Sequence, residues 1–435
     1  MKRVYLDNAA ATKMDPRVRE TMKPYFVGEF GNAGGLYQEG RRAKKTLDDA
    51  RESIARNLGA RAEEIIFTSG GTESDNLAIF GVADAVRLEF CLGTSFHIIT
   101  TKFEHHAVLE PVKQLEKKGF NVTYLDVGSE GIINPNDVRT ALRPETILVT
   151  IMYANNEIGT IQPIREISKI IKEYRTQKHV AISSSSGGEI AKWPYFHTDA
   201  CQASGYLDTN VNNLGVDLMT INGSKIYGPK GIGLLYRRMG TKIKPMIYGG
   251  NQEMRLRAGT ENISLIVGLA KAIKIVQEAR ITETKRLTSL RDYFIFELQK
   301  RIPKVVLNGH ATKRLPNNIN VSILDIEGES LLLYCDAKGI SFSTGSACTS
   351  DSLDPSHVIL ALGKPYEFAH SSMRFTLGRD TTKEDIDYVL AKLPTIVERL
   401  RVISPIKIDI NAKSISHPEA FAGKLKGKAK GRNYK

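Results

Sequence analysis

Three short segments of the sequence carry groups that could bind and activate a small aldehyde cofactor. Residues 69–74 form a Gly-rich turn that follows an apolar run and opens a helical pattern, so its backbone N–H groups could bind phosphate. Asp199, which ends another apolar run, could keep a pyridinium nitrogen protonated. Lys225, in the Gly-flanked turn 222–231, is placed to form a Schiff base with an aldehyde.

Each segment also has an ordinary structural interpretation. A Gly-rich turn between strand and helix often has no ligand, Asp199 could cap a helix, and Lys225 could be a surface lysine. Residues 69–74 lack the GxxxxGK[ST] pattern, so a nucleoside triphosphate is not indicated. Because all three segments follow a predicted strand, the functional interpretation is stronger for the set than for any one member.

The elements that must position these groups alternate along the first two thirds of the chain. Helical periodicity at 107–118 and 164–174 separates short β-rich runs, which predicts a mostly parallel sheet with helices on both faces. In such sheets ligands bind at the carboxyl ends of the strands. The predicted strands are 65–68, 97–100, 121–125, 147–151 and 217–221.

A long helical stretch at 263–301 leads into a second, α+β region. We therefore predict a large domain over 15–262 and a smaller domain formed by 1–14 and 263–412. Residues 413–435 carry seven basic residues against one acid and little apolar area, which predicts a disordered basic tail. The tail accounts for nearly half of the formal charge of +13, and it could instead be a docking arm for an acidic partner or nucleic acid.

Composition excludes several classes of protein. The 435 residues are 41% hydrophobic and 25% charged, as in ordinary globular proteins. The sequence lacks an apolar run long enough to span a bilayer and an N-terminal signal pattern, so we expect a cytoplasmic protein. Its four cysteines are far apart without CxxC spacing, which indicates unpaired thiols and no cysteine-ligated metal centre.

At the level of ordered motifs, the sequence resembles the cysteine desulfurases of the NifS/IscS type, within the fold-type I pyridoxal-phosphate superfamily. The resemblance runs from Tyr5 to about residue 404. Matching segments are 5–12, 68–78, 104–109, 155–159, 199–202, 225–233, 257–260 and 346–350.

The resemblance implies a site for pyridoxal 5'-phosphate. Lys225 would hold the cofactor and Asp199 would pair with the ring nitrogen, while His105 would stack on the ring and move protons. The other implied cofactor contacts are Gly71, Thr72, Asn156, Gln202, Asn222, Ser224 and Thr260. Thr260 is expected to act in the site of a second subunit, which implies a homodimer.

The resemblance also implies the substrate and the sulfur acceptor. Arg374, with Asn156, would bind the carboxylate of L-cysteine, which suits a planar guanidinium. Cys348, in the small-residue stretch 343–352, would take the substrate sulfur as a persulfide, with alanine as the other product. The long 346–363 stretch resembles the long-loop group, whose loop carries sulfur to iron–sulfur scaffolds or tRNA thiolation enzymes.

Some features depart from the family pattern. Asn222 and Ser224 replace the usual residues before the lysine, which puts one cofactor contact in doubt, and the run 183–188 is an unusual insertion. A selenocysteine lyase is the alternative enzyme, and Cys348 favours the desulfurase. A non-catalytic or RNA-binding protein of the same fold is the alternative from another class, and the presence of Lys225, Asp199 and Arg374 together argues against it.

Overall fold

The computed structural model describes residues 2–89, 95–183, 193–345, 355–405 and 408. Its strands are β1 Val4–Tyr5, β2 Ile65–Thr68, β3 His97–Thr101, β4 Asn121–Leu125, β5 Thr146–Thr150, β6 Tyr195–Asp199, β7 Leu218–Asn222, β8 Gly233–Arg237, β9 Val305–Leu307, β10 Asn318–Ile323, β11 Ile340–Ser341, β12 Ser343–Thr344 and β13 Ser372–Thr376.

The helices alternate with these strands. They are α1 Pro16–Met22, α2 Pro24–Val27, α3 Gln38–Leu58, α4 Gly71–Glu89, α5 His106–Lys117, α6 Pro135–Ala141, α7 Ile164–Ser183, α8 Val211–Leu214, α9 Gln252–Arg255, α10 Ile263–Arg301, α11 Gly328–Asp336, α12 His357–Ala361, α13 Tyr366–His370 and α14 Lys383–Ile403. Two 3-10 helices cover Ala62–Glu64 and Gly223–Lys225. None of the helices in the described ranges is long and apolar enough to cross a membrane.

A seven-stranded sheet forms the centre of the molecule, in the order β2-β8-β7-β6-β5-β3-β4. Within this sheet β8 runs against both of its neighbours and the other pairs are parallel, so the predicted mostly parallel sheet is confirmed. Strand β8 is not among the strands predicted from the sequence. Its five residues lie between β2 and β7 and run antiparallel to both. A buried apolar run of that length is hard to distinguish from a helix segment by sequence alone.

The sheet is buried on both faces. Neighbouring residues such as Ile98 and Ile99 belong to two different apolar clusters, because successive strand side chains point to opposite faces. Leu77 of α4 and Val108 of α5 complete one cluster, and Ile54 of α3 belongs to the other. Because helices cover both faces of the sheet, the strands are continuous apolar runs and do not alternate between apolar and polar residues.

The second region is built on a four-stranded antiparallel sheet in the order β12-β13-β10-β9. The N-terminal strand β1 pairs in parallel with β11, and Asp7 forms an isolated bridge with Thr376 of β13. The N-terminus thus lies against the C-terminal third of the chain. The predicted domain limits at 14/15 and 262/263 stay predictions.

Candidate active site

One cavity of about 300 Å³ lies at the carboxyl ends of the parallel strands. The loops after β2, β3, β5, β6 and β7 converge there, as expected for an open sheet of this kind. The cavity is lined by Asp7, Ala9, Ala10, Gly71, Thr72, Asp75, His105, Ala107, Met152, Ala154, Asn156, Asp199, Cys201, Gln202, Asn222, Lys225, Ser343 and Arg374.

The cavity brings together most of the predicted site residues and leaves out three of them. Ser224 and Thr260 are absent from its lining, and Cys348 lies outside the described residues, as do most of the 183–188 insertion and the tail 413–435. The hydroxyl of Ser224 donates to Asn222 Oδ1 at 3.2 Å. Thr260 is exposed to solvent.

Lys225 follows β7 in the short 3-10 helix and extends toward the N-terminal segment. Its Nζ donates to the backbone carbonyls of Ala9 at 2.8 Å and Ala10 at 2.5 Å. Gln202 Nε2 donates to the same Ala9 carbonyl at 3.0 Å. The N-terminal segment therefore holds the amine in the cavity through backbone acceptors, which leave it able to exchange partners.

Glycine at position 71 lets the turn before α4 pack closely against Cys201 and Asn222, which also line the cavity. A Cβ on Gly71 would lie 2.8 Å from Cys201 Sγ and 3.5 Å from Asn222 Nδ2. The first N–H groups of a helix have no acceptor within the helix, and the helix dipole favours a negative charge there. Asn222 Oδ1 accepts from Ser224 N at 3.2 Å, so Asn222 presents its amide nitrogen, a hydrogen-bond donor, to this turn.

A group of buried acids and one histidine lies behind the cavity, and we call Asp75, His197 and Asp199 the aspartate group. His197 Nε2 is 3.6 Å from Asp75 Oδ1, an oxygen that has no hydrogen-bond partner among the described residues. Burial, followed by the charge of Asp199, raises the pKa of Asp75 well above its usual value. Burial lowers the pKa of His197 to about 4. His197 is therefore neutral at pH 7, and its surroundings favour the protonated form of Asp75.

His105 caps the N-terminus of α5. Its Nδ1 accepts from Ala107 N at 3.1 Å, so the neutral ring carries its proton on Nε2. Burial is the main cause that lowers the pKa of His105, and the nearby Asp199 charge opposes that shift. A neutral imidazole beside the cavity can accept or pass on a proton near neutral pH.

A second charged group, which we call the arginine group, consists of Asp7, Asn156, Glu157 and Arg374. Arg374 Nη1 donates to the Asn156 carbonyl at 3.0 Å and Nη2 to Asp7 Oδ1 at 2.9 Å. Burial raises the pKa of Glu157 to about 7, opposed by its bond to Ser356 and by the charge of Arg374. Asn156 Oδ1 and Arg374 Nε are buried, and neither has a hydrogen-bond partner in the part of the chain that the structure describes.

The residues present fit pyridoxal 5'-phosphate. Asp75 Oδ1 and Asn156 Oδ1 are buried, belong to residues that line the cavity and have no hydrogen-bond partner among the described residues, so the lining can bind a polar group. A helix N-terminus suits phosphate, Asp199 suits a ring nitrogen and Lys225 suits an aldehyde. Within the described ranges, no group of three His, Cys, Asp or Glu side chains could hold a metal ion.

Comparison with known proteins assigns the chain to one family. The pattern of the aminotransferase class-V family matches residues 4–389. The chain belongs to the class-V aminotransferase family.

Similar class-V proteins are named cysteine desulfurases. The chain is 53% identical to the cysteine desulfurase IscS of Dictyoglomus turgidum, over 95% of this chain and 100% of that protein. It is 48% identical to the Clostridium botulinum protein of the same name, over 93% of this chain and 97% of that protein. The predicted family is confirmed.

Two solved structures share the fold of this class-V chain. A NifS-like protein superposes with a TM-score of 0.82 at 34% identity, covering 92% of this chain and 100% of that one. SspA in complex with cysteine gives a TM-score of 0.70 at 33% identity, covering 86% of this chain and 98% of that one. The predicted fold-type I class, with its mostly parallel sheet, is confirmed.

Several ionisable residues at the class-V site have no role assigned from the sequence. Asp7, Asp75 and His197 all lie within or beside matching segments, but only the folded chain brings them together. His197 and Asp199 are two residues apart on one strand, so they share a face of the sheet, and that spacing is the available signal. Glu157 directly follows Asn156 and offers no comparable signal.

Proposed function

We propose that this chain is a pyridoxal-phosphate-dependent cysteine desulfurase that converts L-cysteine to L-alanine and carries the sulfur as a persulfide on Cys348. The names of the class-V relatives support this enzyme class. The single observation that carries the proposal is one cavity that contains Lys225, Asp199, His105 and Arg374 together. The cysteine bound to the related SspA structure supports the choice of substrate.

Each residue has a task that its surroundings support. Arg374 binds the substrate carboxylate, Asp199 pairs with the ring nitrogen, and Lys225 and His105 hold and move the proton from the substrate Cα. The bound pyridoxal 5'-phosphate supplies an electron sink for that proton loss. Gly71, Thr72, Asn222 and the start of α4 would hold its phosphate, and Asn156 and Gln202 would lie beside its ring.

The sulfur transfer follows from the chemistry of a thiolate. The Cys348 thiolate attacks the substrate sulfur, a sulfur–sulfur bond forms and the carbon–sulfur bond breaks. The electron pair and a proton remain with the three-carbon product, which leaves as alanine. We propose that the persulfide then passes to an iron–sulfur scaffold or a tRNA thiolation enzyme in the cytoplasm.

We propose further that the active form is a homodimer. Large apolar side chains are exposed around α2 and near Tyr248, among them Phe30 at 76% and Tyr248 at 80% of their full area. Thr260 is exposed beside a turn in which Arg257 Nε donates to Glu73 at 2.9 Å, next to the start of α4. A second copy covering this surface would bring Thr260 to its phosphate site, and light scattering tests for a mass of two chains.

The acceptor is tested by replacing its thiol. Purified wild-type protein with cofactor should be yellow and should release sulfide and alanine from cysteine when a reductant is present. Cys348→Ser should keep the colour and lose sulfide release, because serine cannot form a persulfide. Cys335→Ala is the matched control, since Cys335 is buried and burial raises the pKa of its thiol to about 12.

Two outcomes would contradict the proposal. A colourless wild-type protein without sulfide release after cofactor addition would reject the enzyme class. Sulfide release by Cys348→Ser at the wild-type rate would reject Cys348 as the acceptor. Comparison of cysteine with selenocysteine as substrate separates the desulfurase from a selenocysteine lyase.

A further inference from the structure

The arginine that would bind substrate is already paired with a carboxylate of its own chain. Arg374 has 7% of its side chain exposed, and its partner Asp7 has 21%. A buried guanidinium needs a counter-ion, because an unpaired buried charge is costly. Asp7 therefore supplies, without substrate, the negative charge that the substrate carboxylate supplies when bound.

The geometry makes the two carboxylates competitors. A guanidinium binds a carboxylate at two points through either of two edges, Nε with Nη2 or Nη1 with Nη2. Both edges include Nη2, and Nη2 donates to Asp7 Oδ1 at 2.9 Å. Nη1 donates to the Asn156 backbone carbonyl, and no described residue accepts from Nε. A substrate carboxylate that binds at two points must therefore also use Nη2, either through its second N–H, directly beside the Asp7 carboxylate, or in place of Asp7. In both cases the negative charge of Asp7 opposes its binding.

Asp7 can give up this bond without loss of its backbone position. Its carbonyl accepts from Ala10 N at 3.1 Å and from the Tyr5 hydroxyl at 2.9 Å, and its backbone bridges to Thr376. The side chain is thus the only part that has to turn away. The Asn156 carbonyl stays on Nη1 and keeps the guanidinium in place.

We propose that Asp7 is a positioning residue that occupies Arg374 until a substrate carboxylate displaces it, and so sets the affinity of this site for carboxylates. This inference rests on the proposed function, since it takes Arg374 as the carboxylate site. The competition weakens the binding of every carboxylate by the same interaction. A ligand without an amino group makes no bond at Lys225, so its affinity reports the competition at Arg374 directly.

The test measures binding of 3-mercaptopropionate, which has the carboxylate and thiol of cysteine but no amine, to the cofactor-loaded enzyme by calorimetry. Asp7→Asn removes the competing charge and keeps a neutral acceptor for Nη2. We expect about tenfold tighter binding, as for loss of one charge-assisted hydrogen bond. Asp7→Ser should shift binding in the same direction, which guards against a folding defect in the first variant.

Two further variants serve as controls. Asp380→Asn removes an exposed carboxylate paired with Lys13 at 3.8 Å and should leave binding unchanged. Adding Arg374→Gln to Asp7→Asn should abolish the gain, because the gain requires the guanidinium. With cysteine, Asp7→Asn should lower KM more than it changes kcat.

The result that overturns the inference is unchanged or weaker binding of 3-mercaptopropionate in both Asp7→Asn and Asp7→Ser. This outcome is distinct from a failure of the proposed function, since the binding measurement needs no turnover. Tighter binding in a protein that releases no sulfide would reject the desulfurase and keep the role of Asp7. Sulfide release without tighter binding of 3-mercaptopropionate would reject the role of Asp7 and keep the desulfurase.

Discussion

The aspartate group and the arginine group lie on the same cavity, but their charges are balanced in different ways. In the aspartate group, burial and the charge of Asp199 raise the pKa of Asp75, which favours a neutral Asp75 beside the Asp199 carboxylate. In the arginine group, Arg374 is balanced by the ionised partner Asp7. The aspartate group can therefore place the Asp199 carboxylate beside a permanently bound ring. The arginine group holds an ion pair that can open when a substrate binds and form again when the product leaves.

The two groups also differ in where their residues come from. Asp75, His197 and Asp199 belong to α4 and β6, which pack within the central sheet and its covering layer. The arginine group joins the N-terminal segment, the loop after β5 and strand β13. The Glu157 carbonyl, for example, accepts from Asn318 at 3.0 Å and Asn320 at 3.1 Å on β10. The exchangeable pair therefore lies where the two sheets meet.

The largest expected effect concerns the single charge of the aspartate group. Asp199→Ala should lower kcat by roughly 10²- to 10⁴-fold, because a proton-transfer step loses the group that stabilises the charged ring. Steady-state sulfide release measures this loss. Asp75→Asn is the matched variant, and it should cost far less because the raised pKa of Asp75 favours a neutral carboxyl group, which an amide resembles. Equal losses in the two variants would show that the charges are not divided as described.

The two parts of the site differ in how well they could be predicted from the sequence, because their residues are brought together in different ways. Lys225, Asp199 and the Gly71 turn each follow a predicted strand, so the parallel sheet alone brings them to one edge. The pairing of Arg374 with Asp7 spans 367 residues and depends on the bridge between Asp7, which follows β1, and Thr376 of β13. No local pattern encodes that distance, and the same is true of the bonds from Asn318 and Asn320 to Glu157.

The antiparallel strand β8 shows the same limit in the fold. Its apolar residues Leu234 and Leu235 fall into different clusters on the two sides of the sheet. Such a run is compatible with several elements until its neighbours are known. In contrast, the predicted helical stretch 263–301 matches the bounds of α10, because a run of 39 residues without proline is far too long for a strand.

A stability effect of intermediate size should come from Glu104, a buried acid beside the aspartate group. Burial raises the pKa of Glu104 to about 8, although Met152 N and the Thr101 hydroxyl donate to the carboxyl group. An acid with a raised pKa binds its proton more tightly when folded, so its contribution to stability is lost as pH rises from about 4.5 to about 8.

The expected result is a wild-type melting temperature that falls between pH 5 and pH 9 more steeply than that of Glu104→Gln. The difference in unfolding free energy across this range should be on the order of a few kcal/mol. Differential scanning calorimetry of both proteins gives the comparison. Glu63→Gln, outside the core, should follow the wild type. Parallel pH curves for wild type and Glu104→Gln would contradict a neutral, buried Glu104.

The smallest effect should come from Glu157 in the arginine group. Burial raises its pKa to about 7, and the groups that act on it are Ser356, Arg374 and His106. As pH rises through 7, Glu157 becomes an anion near Arg374 and opposes binding of a second carboxylate. Between pH 6 and pH 8.5, the wild-type KM for cysteine should therefore rise relative to that of Glu157→Gln, by about two- to fivefold.

The ratio of the two KM values at each pH is the quantity to measure. Ionisation of the cysteine amine and thiol affects both proteins alike and cancels in that ratio. The side-chain amide in Glu157→Gln would keep an acceptor for the Ser356 hydroxyl, which donates to Glu157 in the wild type. A ratio that stays constant across the range would mean that Glu157 does not act on the carboxylate at Arg374, and that Asp7 alone sets the charge seen by the substrate there.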